Sequence, residues 1–329
     1  MPRLEPRVKA VIGVDIGGTN IRIVLADPRK GNVFDRIILK TSSKSGPDAI
    51  VTEVGTTLAT MIHKAKEDGI QIGAVGVGCA GTIDVKRGSV LVSPNLPGWE
   101  GFPLQEKLIE ILEIPVRVCN DVDCIGYAEY RLGSGSELGD FLCIALGTGV
   151  GGSLIIGGRV WTEGSTTAGE IGHMTIQPDG EQCLCGNRGC LETLASAGWL
   201  IRRAEKHLQE GVSSTLKGCL ERTGSLEAES IQQAALEGDS LARELFNSVG
   251  TSLAIAIANV IQLLGIRSVV IGGGLANAWD FFVGPLEKEL NQRLTMVRPR
   301  EVKVVRSELG HYAGALGAVY LASEAREIS

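Results

Sequence analysis

Two stretches of this chain read as the same unit: a short apolar strand, a glycine turn and a second strand. The first runs through residues 11–15, turns at Gly17, Gly18, Thr19 and Asn20, and returns through residues 21–26. The second runs through 141–146, turns at Gly147, Thr148, Gly149, Val150, Gly151 and Gly152, and returns through 153–156. Each is the pattern of a β-hairpin closed by glycine. The likeness is architectural, with little identity, and points to an α/β unit that occurs twice.

The rest of the chain can be placed around these hairpins. Residues 37–41 predict a third strand. In 49–67, Ile50, Val54, Leu58, Met61, Ile62 and Ala65 recur at helical spacing, closing near Gly69. A buried strand over 74–78 delivers the loop Cys79-Ala80-Gly81-Thr82. A helix over 103–112 and a strand over 116–119 lead to Asn120-Asp121. Helices follow over 193–209 and 241–264. A strand over 268–271 ends in Gly272, Gly273 and Gly274, and a strand near 302–305 and a small-residue helix over 312–322 close the chain. At 329 residues two domains are expected. We place the border near Asp121, with 1–120 as a smaller lobe completed by the helix at 312–329, and 121–311 as the larger lobe.

Glycine makes up 44 of the 329 residues, about twice its ordinary share. No collagen-like period or Gly/Ser linker absorbs the excess, so it belongs in tight turns and backbone-lined sites. A net charge of −6 gives no general attraction to nucleic acid or to an anionic membrane, and neither is expected as a partner. The most apolar stretch, 253–264, contains Asn259 and Gln262 and is too short for a membrane span, so it predicts a buried helix. The N-terminal apolar run is too short for a secretory signal. A cytoplasmic, reducing location is therefore expected, where the eight cysteines serve as thiols or metal ligands rather than disulfides.

Neither glycine turn matches the P-loop pattern. Gly147, Gly149 and Gly152 do spell GxGxxG, but a dinucleotide fold needs a helix to open at the third glycine, and here a strand follows. A glycine hairpin can still gather backbone N–H groups around an anionic oxygen, and two of them can hold a polyphosphate. Asp15, beside the first turn, suits Mg²⁺ near such phosphates; the alternative is a turn carboxylate that caps backbone groups. Gly272, Gly273 and Gly274 open a helix at Leu275, a place for the nucleotide's adenosine or phosphates, or simply a tightly packed corner.

His173, Cys183, Cys185 and Cys190 lie within eighteen residues and supply a Cys₃His set, a closed tetrahedral zinc site of structural type. Gly186 and Gly189 leave the backbone free to wrap one ion. Glu170 and Glu192 flank the set, so the metal would fix two carboxylates in one polar loop. Each carboxylate can accept from neighbouring hydroxyls of a sugar, and the second nitrogen of His173 stays available. The alternative is that both glutamates face solvent. Cys79, Cys119, Cys124, Cys143 and Cys219 read as buried thiols. Asp121, at a strand end, can take a proton from an attacking hydroxyl that Asn120 helps to hold, although such a pair is also a common turn. Asp123 reads as structural.

The segments VDIGGTN, GVGCAGTID, PNLPGW, CND, ALGTGVGG, AGEIGH, CLCGNRGCLE and IGGG span nearly the whole chain in this order. Together they resemble the ROK (repressor, open reading frame, kinase) family, in particular its bacterial glucokinase-like members. The resemblance implies an actin-like (ribonuclease H-like) two-lobed α/β fold with ATP and sugar in the cleft. It implies an ATP-dependent hexose kinase with Asp121 as base, Mg²⁺ with the nucleotide and a structural Zn²⁺ on His173, Cys183, Cys185 and Cys190. Asn120, Glu170, His173 and Glu192 would contact the sugar, joined by Gly81 and Asn95. Gly17, Gly18, Thr19, Asn20, Gly147, Thr148 and Gly149 would touch phosphates, with Gly272, Gly273 and Gly274 near adenosine.

The resemblance also implies a homodimer. Glucose leads as substrate, with N-acetylmannosamine, N-acetylglucosamine and fructose behind it, and polyphosphate is a second possible donor. A sugar-responsive repressor of the same family needs a DNA-binding module ahead of the first glycine turn, where only fourteen residues precede Asp15. Two stretches depart from the family pattern: Cys79, Ala80 and Thr82 in the sugar-facing loop, and residues 122–130 after Asp121.

Overall fold

The computed structural model describes residues 9–41, 46–93, 96–162 and 166–324. The chain divides into two compact units. One comprises Met1–Ser136, Gly158–Ala168 and Leu309–Ser329; the other comprises Glu137–Gly157 and Gly169–Glu308.

The first unit is built on a mixed sheet. β1 (Lys9–Ile16) and β2 (Asn20–Asp27) form the first glycine hairpin, and β3 (Asn32–Lys40) pairs antiparallel to β2. After α1 (Gly46–Glu67), β4 (Gln71–Cys79) enters parallel to β1. β5 (Thr82–Asp84) and β6 (Ser89–Val92) make a small antiparallel ribbon. α2 (Leu104–Leu112) then leads to β7 (Val116–Asn120), parallel to β4, and α3 (Asp121–Leu132) follows without a break.

β1 reads as an almost unbroken apolar run because both faces of its sheet are covered. Ala10, Ile12, Val14 and Ile16 pack with Val54, Leu58 and Leu108 on one side, and Val11 packs with Ala315 and Val319 on the other. Those last two residues belong to the C-terminal helix. A Cβ on Gly76 of β4 would stand 2.0 Å from the Ala318 carbonyl oxygen, so the bare glycine backbone is what lets that helix settle on the sheet.

The second unit repeats the plan. β8 (Phe141–Leu146) and β9 (Val150–Ile156) form the second glycine hairpin; β10 (Arg159–Val160), next in the chain, falls in the segment counted with the first unit. α4 (Glu192–Ala195), α5 (Ala197–Gln209), α6 (Leu216–Thr223), α7 (Ala228–Leu236) and α8 (Ser240–Leu264) precede β11 (Ser268–Gly272), which enters parallel to β8. α9 (Trp279–Arg293) leads to β12 (Lys303–Arg306), parallel to β11. The order β9-β8-β11-β12 thus matches β2-β1-β4-β7 in order and strand sense. This is the duplication that the paired hairpins suggested. α10 (Ala313–Glu324) returns to the first unit.

α8 has the length and composition of a membrane span, yet half of its most apolar window is buried inside the protein (50%). Phe246, Val249, Leu253 and Ile257 lie in the core of the second unit, as the buried-helix reading of 253–264 expects.

Three sequence expectations need correction. The helix over 193–209 is broken at Ser196, whose backbone is extended (φ −88°, ψ 156°) and whose side-chain hydroxyl caps α5 by accepting from the Trp199 N–H. The helix expected at Leu275 opens as a 3-10 turn, Gly274–Ala278, and becomes α-helical only at Trp279. The border near Asp121 moves to Ser136, because α3 stays with the first unit: Gly317 of α10 presses on the Cys124 carbonyl. The second unit therefore occupies 137–157 and 169–308 instead of 121–311.

Candidate active site

In the first unit, the strand register brings the candidate residues to one end of the sheet. Asp15 of β1 aligns with Gly78 of β4, which aligns with Cys119 of β7; Cys79 aligns with Asn120. The carboxyl ends of adjacent parallel strands are where open α/β sheets bind ligands.

Asp15 is buried (9% exposed), and its carboxyl lies where any side chain at Gly314 of α10 would collide with it. Its pKa is pushed up to about 7, first by burial and then by the charge of Asp121, with Arg22 opposing both. The turn after Asp15 is tied down at its base while its tip stays open. The Gly17 N–H donates to the Asn20 carbonyl, and Thr41 anchors the turn by donating its hydroxyl to Gly17 O (2.7 Å) and its N–H to Thr19 O (3.0 Å). Gly18 and Thr19 are exposed.

Asn120 caps α3: its Oδ1 accepts from the N–H groups of Val122 (2.8 Å) and Asp123 (3.0 Å). Its Nδ2 donates to Gly81 O at 2.9 Å, leaving one amide hydrogen for other partners. Asp121 is the first residue of α3, half-buried, with Oδ1 accepting from the Val122 N–H (3.0 Å). Gly81 has φ +114° and no room for a side chain, since a Cβ would stand 2.3 Å from Val92 O. Ser93 donates to Ala80 O and fastens the same loop. Asn95 lies outside the described residues.

In the second unit, the candidates gather around β9 and the cysteine loop. The 3-10 turn Ile171–His173 follows Glu170 and packs onto β9 through Gly172, where a Cβ would stand 1.9 Å from Val150 O. Glu192 opens α4, and its Oε2 accepts from the Val150 N–H (3.0 Å). Glu170 keeps an exposed edge. Partial desolvation raises its pKa above the ordinary value, His173 opposes this, and the charge of Glu192 adds to it. The two glutamates and the histidine therefore share one electrostatic neighbourhood. Of the two, Glu170 alone matches the alternative of facing solvent.

The ligand atoms of His173, Cys183, Cys185 and Cys190 lie within 4.8 Å of one another. Cys183 Sγ stands 3.8 Å from His173 Nδ1, and Cys185 Sγ stands 3.8 Å from Cys190 Sγ. A tetrahedron with bonds of about 2.3 Å has edges of about 3.8 Å, so the spacing fits a zinc-sized ion. Without a cation, burial and the neighbouring thiols push Cys190 up to about 12, which a metal would reverse. The loop is shaped by the Cys183 N–H donating to Asn187 O and the Gly186 N–H donating to Cys183 O.

The turn at Gly147, Thr148 and Gly149 is closed by the Gly147 N–H donating to Gly149 O, and braced when the Ala197 N–H at the start of α5 donates to Gly147 O. Gly272 aligns with Ala145, so Gly273 and Gly274 emerge beside this turn, both exposed. These glycines, too, sit at carboxyl ends of parallel strands.

Arg22 was not among the sequence candidates, although an arginine in the apolar run of β2 was a visible signal. Its Nη1 stands 3.9 Å from Asp15 Oδ2. Ser93 and Ser196, which fasten the two loops, carried no such signal.

The ROK family profile matches residues 11–325. A glucokinase from Halalkalibacterium halodurans is 33% identical over 318 residues, covering 95% of this chain and 94% of that protein. A glucokinase from Thermotoga maritima is 30% identical over 327 residues, covering 98% and 99%. Among solved structures, a ROK family glucokinase from Streptomyces griseus, in complex with glucose and AMPPNP, matches with a TM-score of 0.81 and 32% identity, covering 96% of this chain and 99% of that one. With the family's motifs placed at the strand ends of an α/β fold, this chain belongs to the ROK family.

Proposed function

We propose that this protein is an ATP-dependent hexose kinase that phosphorylates glucose, with Asp121 as general base. The observation that carries the reading is the placement of Asp15 and Asp121 at the same end of one sheet, Asp15 near the end of β1 and Asp121 just past the end of β7 with β4 between them, each within the other's electrostatic reach: one carboxylate suited to a metal ion and the other to a hydroxyl proton. Similarity to proteins named glucokinase, at 33% and 32% identity, is what puts glucose first among the hexoses in this reading.

Asp15 fits magnesium: it is a hard anionic donor, buried beside a second carboxylate whose repulsion a cation would relieve. Magnesium, when bound, neutralises phosphate charge during transfer. The N–H groups of the turns at Gly17, Gly18, Thr19 and Asn20 and at Gly147, Thr148 and Gly149 hold the phosphates. Gly272, Gly273 and Gly274 leave room for adenosine. Asp121 accepts the sugar's hydroxyl proton as that oxygen bonds to the γ-phosphorus and the bond to ADP breaks. Asn120, tethered to Gly81, keeps the hydroxyl in line. Glu170, Glu192 and the Nε2 of His173 bind the remaining hydroxyls.

His173, Cys183, Cys185 and Cys190 fit a structural zinc, since the protein fills all four positions. Zinc, when bound, staples the loop that carries His173 and sets Glu192 beside it. The actin-like two-lobed fold of the family's kinases accords with the two compact units and their repeated strand order.

The test is initial rates for glucose, N-acetylmannosamine, N-acetylglucosamine and fructose, each with ATP and with polyphosphate. Glucose with ATP should give the highest kcat/KM. Preference for an acetamido sugar would overturn glucose alone; no phosphorylation of any sugar would overturn the kinase reading.

A further inference from the structure

Arg22 is an odd residue for its strand. Ile21 and Ile23 on either side are fully buried in the main core of the first unit, and Val24 and Ala26 pack with Ala315 and Val319 of α10. By strand alternation Arg22 belongs to the α10 face, the face on which Asp15 meets Gly314. Asp15 is also its cross-strand partner in the register of β1 and β2.

The pair is an ion pair rather than a hydrogen bond, because Arg22 Nη1 stands 3.9 Å from Asp15 Oδ2. Arg22 Nε is buried without a hydrogen-bond partner among the described residues. A partly buried guanidinium with an unmet donor disfavours folding, and an apolar residue would suit this strand better. Stability therefore does not explain the arginine, but its neighbour does. Asp15 faces the charge of Asp121, and Arg22 supplies the opposing charge on the same carboxyl.

We propose that Arg22 is a positioning residue for phosphoryl transfer, holding the Asp15 carboxylate in the orientation that receives the metal–nucleotide. This rests on the kinase reading of Asp15. In this role Arg22 acts through Asp15, the carboxylate it faces.

A double-mutant cycle tests this. Arg22→Gln and Arg22→Lys are made in the wild-type and Asp15→Asn backgrounds. The readouts are the KM for MgATP and the binding of Mn²⁺ in the presence of AMPPNP, followed by electron paramagnetic resonance. Arg22→Gln should weaken Mn²⁺ binding and raise the KM by about 10- to 100-fold, the usual effect of losing a partner that orients a metal ligand. Arg22→Lys should recover part of the loss, since it keeps the charge without the planar fork. In the Asp15→Asn background, Arg22→Gln should change neither readout by more than about twofold.

A silent Arg22→Gln, or losses that multiply across the two backgrounds, would overturn the inference. An Asp15→Asn variant with normal Mn²⁺ binding and KM would overturn it together with the metal role of Asp15. Melting temperature reports folding. Should the Gln variants not fold, the Lys variants complete the same cycle: a loss in the wild-type background that disappears with Asp15→Asn supports the inference, and any other pattern overturns it.

Discussion

Asn120 donates its side-chain amide to the carbonyl of Gly81 at 2.9 Å, tying the end of β7 to the loop that leaves β4. The same side chain caps α3 through its oxygen, so one residue fixes both the helix that begins with Asp121 and the loop beside it. Asn120→Ala removes both functions. We expect a loss of about 1 kcal/mol from the cap, read as a lower melting temperature. We also expect a rise in the KM for sugar larger than the change in the KM for ATP, because only the sugar-facing loop loses its tether. Equal changes in both constants would count against that role.

Asp121 is the first residue of α3, and its Oδ1 already accepts the Val122 N–H. Asp121→Asn keeps the size and one acceptor oxygen but cannot take the hydroxyl proton. The kcat should fall by about 10²- to 10⁴-fold, the range for a general base, while glucose binding measured by calorimetry and the melting temperature stay close to wild type. A kcat within a few-fold of wild type would remove Asp121 from the base's role.

On the proposed reading the cysteine loop would couple a metal to the sugar, because His173 Nδ1 stands 3.8 Å from Cys183 Sγ and Glu192 Oε1 stands 3.8 Å from the same sulfur. Cys185→Ser should release one equivalent of zinc, measured by mass spectrometry of the metal. It should also speed proteolytic cleavage within 174–190 and raise the KM for sugar. Chelation of the wild-type protein should do the same. Metal-free protein with an unchanged sugar KM would separate the cluster from substrate binding.

Gly76 has no room for a methyl group, since a Cβ would stand 2.0 Å from the Ala318 carbonyl oxygen. The obstacle is backbone of α10, which cannot turn aside as a side chain would. Gly76→Ala should cost about 1–3 kcal/mol, the range for overpacking. Gly218 of α6 is the control: it is exposed, and a Cβ there meets nothing within 4 Å. Gly218→Ala should hold or raise the melting temperature, because alanine favours a helix interior.

The strands were legible in the sequence where burial on both faces wrote them as apolar runs: β1, β4 and β8 fall where those runs do. The metal cluster was legible because its ligands are close in sequence as well as in space. Features set by distant partners were hidden. The border moved because α3 packs on α10, with Arg131 bound to Glu324, 193 residues further along the chain. The break at Ser196 was hidden by helical spacing that continues across it, with only a hydroxyl cap to mark the change. The partner of Arg22 follows from the register of the first hairpin, which an apolar pattern cannot count to the residue.

Asp239 offers a test of stability that is independent of the chemistry. It caps α8 by accepting from the Ala242 N–H at Oδ1 (3.0 Å), and its Oδ2 accepts from the Thr215 N–H (2.7 Å) and the hydroxyls of Ser214 (2.9 Å) and Thr215 (3.0 Å). Burial alone would raise its pKa, but these hydrogen bonds outweigh burial and hold it below the ordinary carboxylate value. Because the folded pKa is depressed, the stabilisation is complete above the unfolded value and is lost as pH falls through the folded one. Asp239→Asn leaves a single acceptor oxygen where two are in use, and should cost about 2 kcal/mol at neutral pH. Measured by urea denaturation with a probe in the second unit, the gap between wild type and variant should hold from neutral pH down to about 5. It should then narrow steadily in more acidic solution. A gap that stays constant into acid would mean that the carboxylate's charge contributes nothing to the cap.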